Sequence, residues 1–157
     1  MSSYLVLKLV HIISAVVLAG TGTGIAFFMF MANRSGNLQA IAVTARHVVL
    51  ADWIFTAPAV VTQLVTGIWL MKALGYSFSS PWFMAVIGLF LFIGACWIPV
   101  VFIQYRLRDQ AAAQLNSAVI EERFRRLMRF WTALGILAFA AILIIFWLMV
   151  FKPLPVV

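Results

Sequence analysis

The sequence predicts an all-α integral membrane protein, a four-helix bundle of the bilayer. Three observations carry that reading. The composition is 66% hydrophobic and only 10% charged, with a mean hydropathy of +1.12, whereas a soluble domain carries about 25% charged and about 45–50% apolar residues. The apolar residues are gathered into four runs, each close to the roughly 20 residues a helix needs to cross the hydrocarbon core. The formal charges fall between those runs rather than within them.

The first run is Leu9–Met31, interrupted only by His11 and small polar residues. The second is Trp53–Met71, the third Trp82–Ile103 and the fourth Trp131–Phe151. Only helices and closed barrels satisfy every backbone group in lipid, and unbroken runs of this length mean helices. The first run exceeds a signal-peptide core, and basic residues follow it rather than precede it, so it reads as a retained helix. The 157 residues form one transmembrane domain, and the single Cys96 cannot make an intrachain disulfide.

Four spans place both termini on one side. The connecting segments 32–52 and 104–130 hold eight arginines, Arg34, Arg46, Arg106, Arg108, Arg123, Arg125, Arg126 and Arg129. Lys8, Lys72 and Lys152 lie on the other side. The positive-inside rule makes the arginine side cytoplasmic and puts both termini outside. The net charge of +7 therefore reads as a topology signal beside lipid, not as a nucleic-acid surface. Trp53 and Trp131 are expected near the cytoplasmic boundary and Trp69, Trp82 and Trp147 near the outer one, as an aromatic belt, with Trp97 deeper, toward the inner leaflet. The stretch from Arg106 to Phe130 favours helix and predicts a short hairpin around Asn116 and Ser117, with its arginines close to anionic lipid. Pro58 and Pro99 each remove a backbone donor and are expected to kink helices two and three.

Among the polar residues, His11 is the leading functional candidate, because ionisable groups inside a span are costly and face the bundle interior. A neutral imidazole is also a common axial ligand of heme iron. His47 belongs to the opposite face, about 20 Å or more from His11 across a core of about 30 Å, so the two cannot share one iron. Met71 and Met84 lie on His11's side and are permissive second ligands, although methionine also fills apolar interfaces. Gly20 and Gly24 form a small-xxx-small pair that admits another helix or a flat ligand. Asp52 stands just before Trp53. Counted back from Met71 it falls at the cytoplasmic boundary, as an N-cap or a partner of Arg46 or of an arginine of the other connecting segment, with Leu38–Ala51 lying along the inner surface. A second helix continuous from Val43 would instead bury Asp52 by about two turns. Gln63, Thr66 and Gln104 complete the polar inventory, and no nucleophile triad, zinc motif or phosphate loop is present.

The histidine in LKLVHIISAVVLAG, the RH before ADWIFTAP, the TGIWLM closing the second helix and the WIPVVFIQ of the third together resemble a bacterial family of small four-helix integral membrane proteins with no assigned function. The likeness covers nearly the whole chain. More distantly the layout is similar to the four-helix membrane protoporphyrinogen oxidases and the copper-resistance D-type proteins. That resemblance implies a bacterial inner-membrane location and a functionally essential first-helix histidine, His11, with heme implicated. The oxidases also use a lysine early in the third helix, after a tryptophan. Here that region reads Trp82, Phe83, Met84, Ala85.

Two functional readings follow. One is a heme b-binding protein with a redox or electron-transfer role, His11 ligating the iron and Gly20, Gly24, Met71, Met84 and His47 available to the cofactor. The other is a non-enzymatic accessory or assembly protein without a cofactor, working as a homo-oligomer or beside a partner protein. A transporter ranks below both, because the sequence offers no chain of ionisable groups across the core.

Overall fold

The computed structural model describes residues 3–114 and 122–155. The predicted hairpin around Asn116 and Ser117 lies outside the described residues. The described chain is helical, and four of its helical stretches are long and apolar enough to cross a membrane: Ser3–Ser35, Leu38–Leu74, Pro81–Ala113 and Glu122–Phe151. We label them α1 (Ser3–Ser35), α2 (Leu38–Ala51) running through a π-helical turn at Asp52–Thr56 into α3 (Ala57–Leu74), α4 (Pro81–Ala113) and α5 (Glu122–Phe151).

Local chemistry sets each helix end. Gly36, at φ 67°, turns the chain between α1 and α2, and the Asn37 Oδ1 accepts from the Ala40 N–H at 3.1 Å to cap α2. Gly75, at φ 66°, ends α3 in the left-handed conformation that glycine adopts without steric cost. Ser80 caps α4 through the Phe83 N–H at 3.3 Å, and Pro81 occupies the first helical position, where its missing N–H is no loss.

The π turn has an equally local cause. Pro58 has no N–H to give the carbonyl four residues earlier. The Ala57 N–H reaches back five residues to the Asp52 carbonyl, and this wider turn carries the helix past the proline. The second helix therefore does not begin at Trp53, and Asp52 is not its N-cap. Leu38–Leu74 is one stretch of 37 residues, about 55 Å long at 1.5 Å per residue, far more than a bilayer core of about 30 Å. α4 likewise continues as helix through Pro99.

α1 packs on α2 and α3, α2 packs on α4, and α4 packs most extensively on α5. At the lysine end, Lys152 donates to the Tyr76 hydroxyl at 2.8 Å and the Trp82 N–H bonds the Pro155 carbonyl at 3.3 Å. These contacts join the α3–α4 turn to the end of α5. The main apolar core lies toward the arginine-rich end, where Ile25, Met29, Ile41, Ala45, Leu107 and Phe124 lead a single buried cluster. α2 is thus a core helix wedged between α1 and α4 rather than a segment lying flat on the membrane. Elsewhere large apolar side chains point outward, Val16, Leu91, Phe102 and Ile136 among them. A lipid solvent puts no water against them, so nothing drives them inward. Trp82 and Trp131 are turned into the protein, not out to a belt: Trp82 donates to the Leu148 carbonyl at 2.8 Å, and Trp131 is buried in the main cluster.

Candidate functional site

Asp52, Thr56, Ala59, Gln63 and Thr66 succeed one another at steps of four, three, four and three residues, the spacing of one helical face. That face is turned into the protein: Gln63 is half-buried and the other four are buried. It forms a polar seam about 20 Å long with a carboxylate at one end and, on the facing helix, an imidazole at the other.

At the imidazole end, α1 supplies His11 and Ser14. Thr66 donates its hydroxyl to the Thr62 carbonyl at 2.6 Å, so its oxygen is left to accept from His11 Nδ1 at 2.8 Å. That fixes Nδ1 as the protonated nitrogen. The lone pair on Nε2 then accepts from the Gln63 amide nitrogen at 2.9 Å, while Gln63 Oε1 accepts from the Ser14 hydroxyl. Ser14 Oγ also lies 2.9 Å from the His11 carbonyl. His11 is therefore a part-buried latch between α1 and α3 with both ring nitrogens engaged. Its ring packs over Gly67, where an added Cβ would stand 3.4 Å from His11 Cε1, an ordinary contact. Gly67→Ala is accordingly expected to leave stability unchanged or to raise it by up to about 1 kcal/mol through helix propensity. Gly67→Leu is expected to dislodge the imidazole and lower stability. Denaturant titration of both variants in detergent checks this, and equal stability of the two would contradict the close packing.

At the carboxylate end, Asp52 is only 6% exposed, and the side chains that face it are Thr56 from the π turn and Gln104 and Trp97 from α4. These three side chains lie close enough to the carboxylate to interact with it, yet Asp52 Oδ2, Thr56 Oγ1, Trp97 Nε1 and Gln104 Oε1 are buried without a well-formed hydrogen bond to the protein. Next to them Trp53 Nε1 donates to the Tyr105 hydroxyl, a second tie between the π turn and α4. Among the described residues neither Arg46 nor an arginine of the segment 104–130 pairs with Asp52. Arg46 is exposed, and the ion pairs among the described residues are Arg108–Asp109 and Arg129–Glu122.

The remaining sequence candidates are dispersed. His47 is exposed and lines an open groove with Thr21, Gly24 and Phe55. Gly24 is about 20 Å along α1 from His11, so the two histidines stay apart. Met84 is 58% exposed and points outward, whereas Met71 is buried; the imidazole nitrogens bond to neither. At Gly20 and Gly24 an added Cβ would meet nothing within 4 Å, so among the described residues no helix packs tightly against the small-residue strip. Among the described residues no three His, Cys, Asp or Glu side chains are grouped to hold a metal ion. Trp97 and Gln104 are the site residues that sequence reasoning passed over as partners of Asp52. The three-four spacing of Thr56, Gln63 and Thr66 from Asp52 marks the polar face itself, and the seven-residue spacing of Trp97 and Gln104, two helical turns, places those two on one face of α4.

A family model described as "Predicted integral membrane protein (DUF2269)" matches residues 5–153. No curated protein and no solved structure matches the chain.

Proposed function

The chain belongs to this DUF2269 family of predicted integral membrane proteins, and on that premise we propose that it transfers protons within the membrane along the buried seam from Asp52 to His11. The carrying observation is the single helix face that sets Asp52, Thr56, Gln63 and Thr66 in register and buries them against α1 and α4. Ionisable groups in this position are functional by default, because burying them is costly.

The His11 cluster suits the task in a second way, since it accommodates either charge state. With a neutral ring, Gln63 donates to Nε2 and Ser14 donates to Gln63. With a protonated ring, rotation of the Gln63 amide lets Oε1 accept from Nε2–H and lets the amide nitrogen donate to Ser14. The Ser14 hydroxyl then turns to the His11 carbonyl 2.9 Å away. No hydrogen bond is lost in the exchange. Few charges compete with this site. Lys8 on α1 and Lys72 on α3 are both exposed, and α5 carries no charged residue between Arg129 and Lys152. Between Thr56 and Gln63 the seam narrows to Ala59 for about 10 Å, a gap that water must bridge. In this reading the arginine-rich end faces the bacterial cytoplasm and both termini lie outside.

Heme, implied for His11 by the distant resemblance, does not fit the donor set. An axial ligand needs a free nitrogen lone pair facing open space, whereas Nδ1 and Nε2 are bonded to Thr66 and Gln63. The imidazole is also held between α1 and Gly67 of α3. An accessory role is the second reading, favoured by the unused strip at Gly20 and Gly24, which is free to meet a second copy.

Reconstitution in liposomes with an internal pH dye, under an imposed potassium diffusion potential, tests the proposal. Wild-type vesicles are expected to pass protons faster than empty ones, with the flux falling to the empty level in Asp52→Asn and His11→Gln. A wild-type rate equal to that of empty vesicles would sink the proton reading and leave the accessory role.

A further inference from the structure

We propose that Asp52, Thr56, Trp97 and Gln104 hold one resident water molecule that joins the π-helical turn to α4. Asp52 and Thr56 are 6% exposed and Gln104 is 4% exposed, so bulk solvent does not satisfy them. Each of the four groups nonetheless presents a buried polar atom without a well-formed hydrogen bond. A polar atom left in that state costs about 1–3 kcal/mol, and a carboxylate oxygen with three more such atoms beside it is too much to leave unmet.

The chemistry of the four atoms selects the ligand. The Trp97 indole is a donor only, a carboxylate Oδ2 and an amide Oε1 are acceptors, and the Thr56 hydroxyl can donate. The set therefore offers two donors and two acceptors. Water has the complementary pair of each and fills such buried sites with about three bonds. A bare cation would use the three oxygens but would meet the Trp97 N–H head on. A divalent ion would also need more negative charge than Asp52 alone supplies. The π turn shapes the site, because its wider winding sets Asp52 and Thr56 side by side toward α4; such turns recur at functional positions.

In the seam a protonated Asp52 would donate to this water, which would turn one of its hydrogens to the Thr56 oxygen as the Thr56 O–H turns onward, so that one proton leaves Asp52 and one passes on from Thr56; only for that role does the inference rest on the proton-transfer reading. The test is nuclear magnetic resonance of the full chain in lipid nanodiscs with labelled tryptophan indoles, the Trp97 signal being identified by its loss in Trp97→Phe. We expect a dipolar cross-peak from the Trp97 indole N–H to a long-lived water. It should be unchanged when sodium is replaced by choline and weakened in Thr56→Val, which removes the hydroxyl and keeps the side-chain shape. Absence of that cross-peak in the wild-type protein overturns the proposal, as does a Trp97 signal that shifts with sodium but not with choline, the mark of a cation in the site. The decisive measurement is on the wild-type chain and does not depend on any variant folding. A water cross-peak together with absent proton flux would leave the bound water standing and remove the transport role.

Discussion

Asp52→Asn is expected to make the bundle more stable by about 1–3 kcal/mol at alkaline pH, where a carboxylate carries its charge, while abolishing proton flux. The carboxylate is more than nine-tenths buried, has no ion-pair partner among the described residues, and leaves Oδ2 without a well-formed hydrogen bond. An amide keeps the shape and removes the charge, so the desolvation of an ion no longer opposes folding. Stability gained while function is lost is the trade expected where a destabilising group is kept for its chemistry. Unfolding of the purified protein in mixed micelles reads the effect. A loss of more than about 1 kcal/mol would show that the carboxylate is held by favourable partners, and the seam would then be structural.

Phe124→Ala is expected to have the opposite and larger effect, a loss of about 3–5 kcal/mol. Phe124 is 1% exposed and heads the fully buried side chains, with Met29, Ile41 and Leu107. Its removal leaves a cavity in the cluster where α1, α2, α4 and α5 meet. The same truncation at Phe102, which is 63% exposed, is expected to cost less than about 1 kcal/mol, because ring and methyl alike face acyl chains there and no cavity opens. Similar losses at the two positions would mean that the outward faces are also packed against protein, as in an oligomer.

Much of this was legible in the chain. Long apolar runs can only be helices in lipid, and a polar residue inside one has few places to go. His11 was therefore identifiable as a functional candidate from its position in the first run. Its partners were not, since Gln63 and Thr66 lie more than fifty residues away and meet it only because α1 and α3 pack together. The reading of Asp52 failed for a physical reason. Counting a span against bilayer thickness assumes that the helix stops where the lipid stops. The helix instead continues for fourteen residues of α2, and these are held by protein: Ile41, Ala42, Ala45 and Val48 pack into the main core. Asp52 can stand close to the membrane boundary in depth and still be sealed from water by α2 and α4.

What the sequence determined by itself was the solvent and the number of spans: its hydropathy demands lipid, and its four apolar runs are the four long helical stretches. Tertiary structure alone decided which polar groups meet. The π turn before Pro58 and the packing of α2 on α4 bring Asp52 beneath Trp97 and Gln104, and the α1–α3 contact closes both nitrogens of His11. Side-chain pairing across helices depends on rotation and rise accumulated over tens of residues, and a one-residue change of register, such as the π turn supplies, is enough to choose a different set of partners.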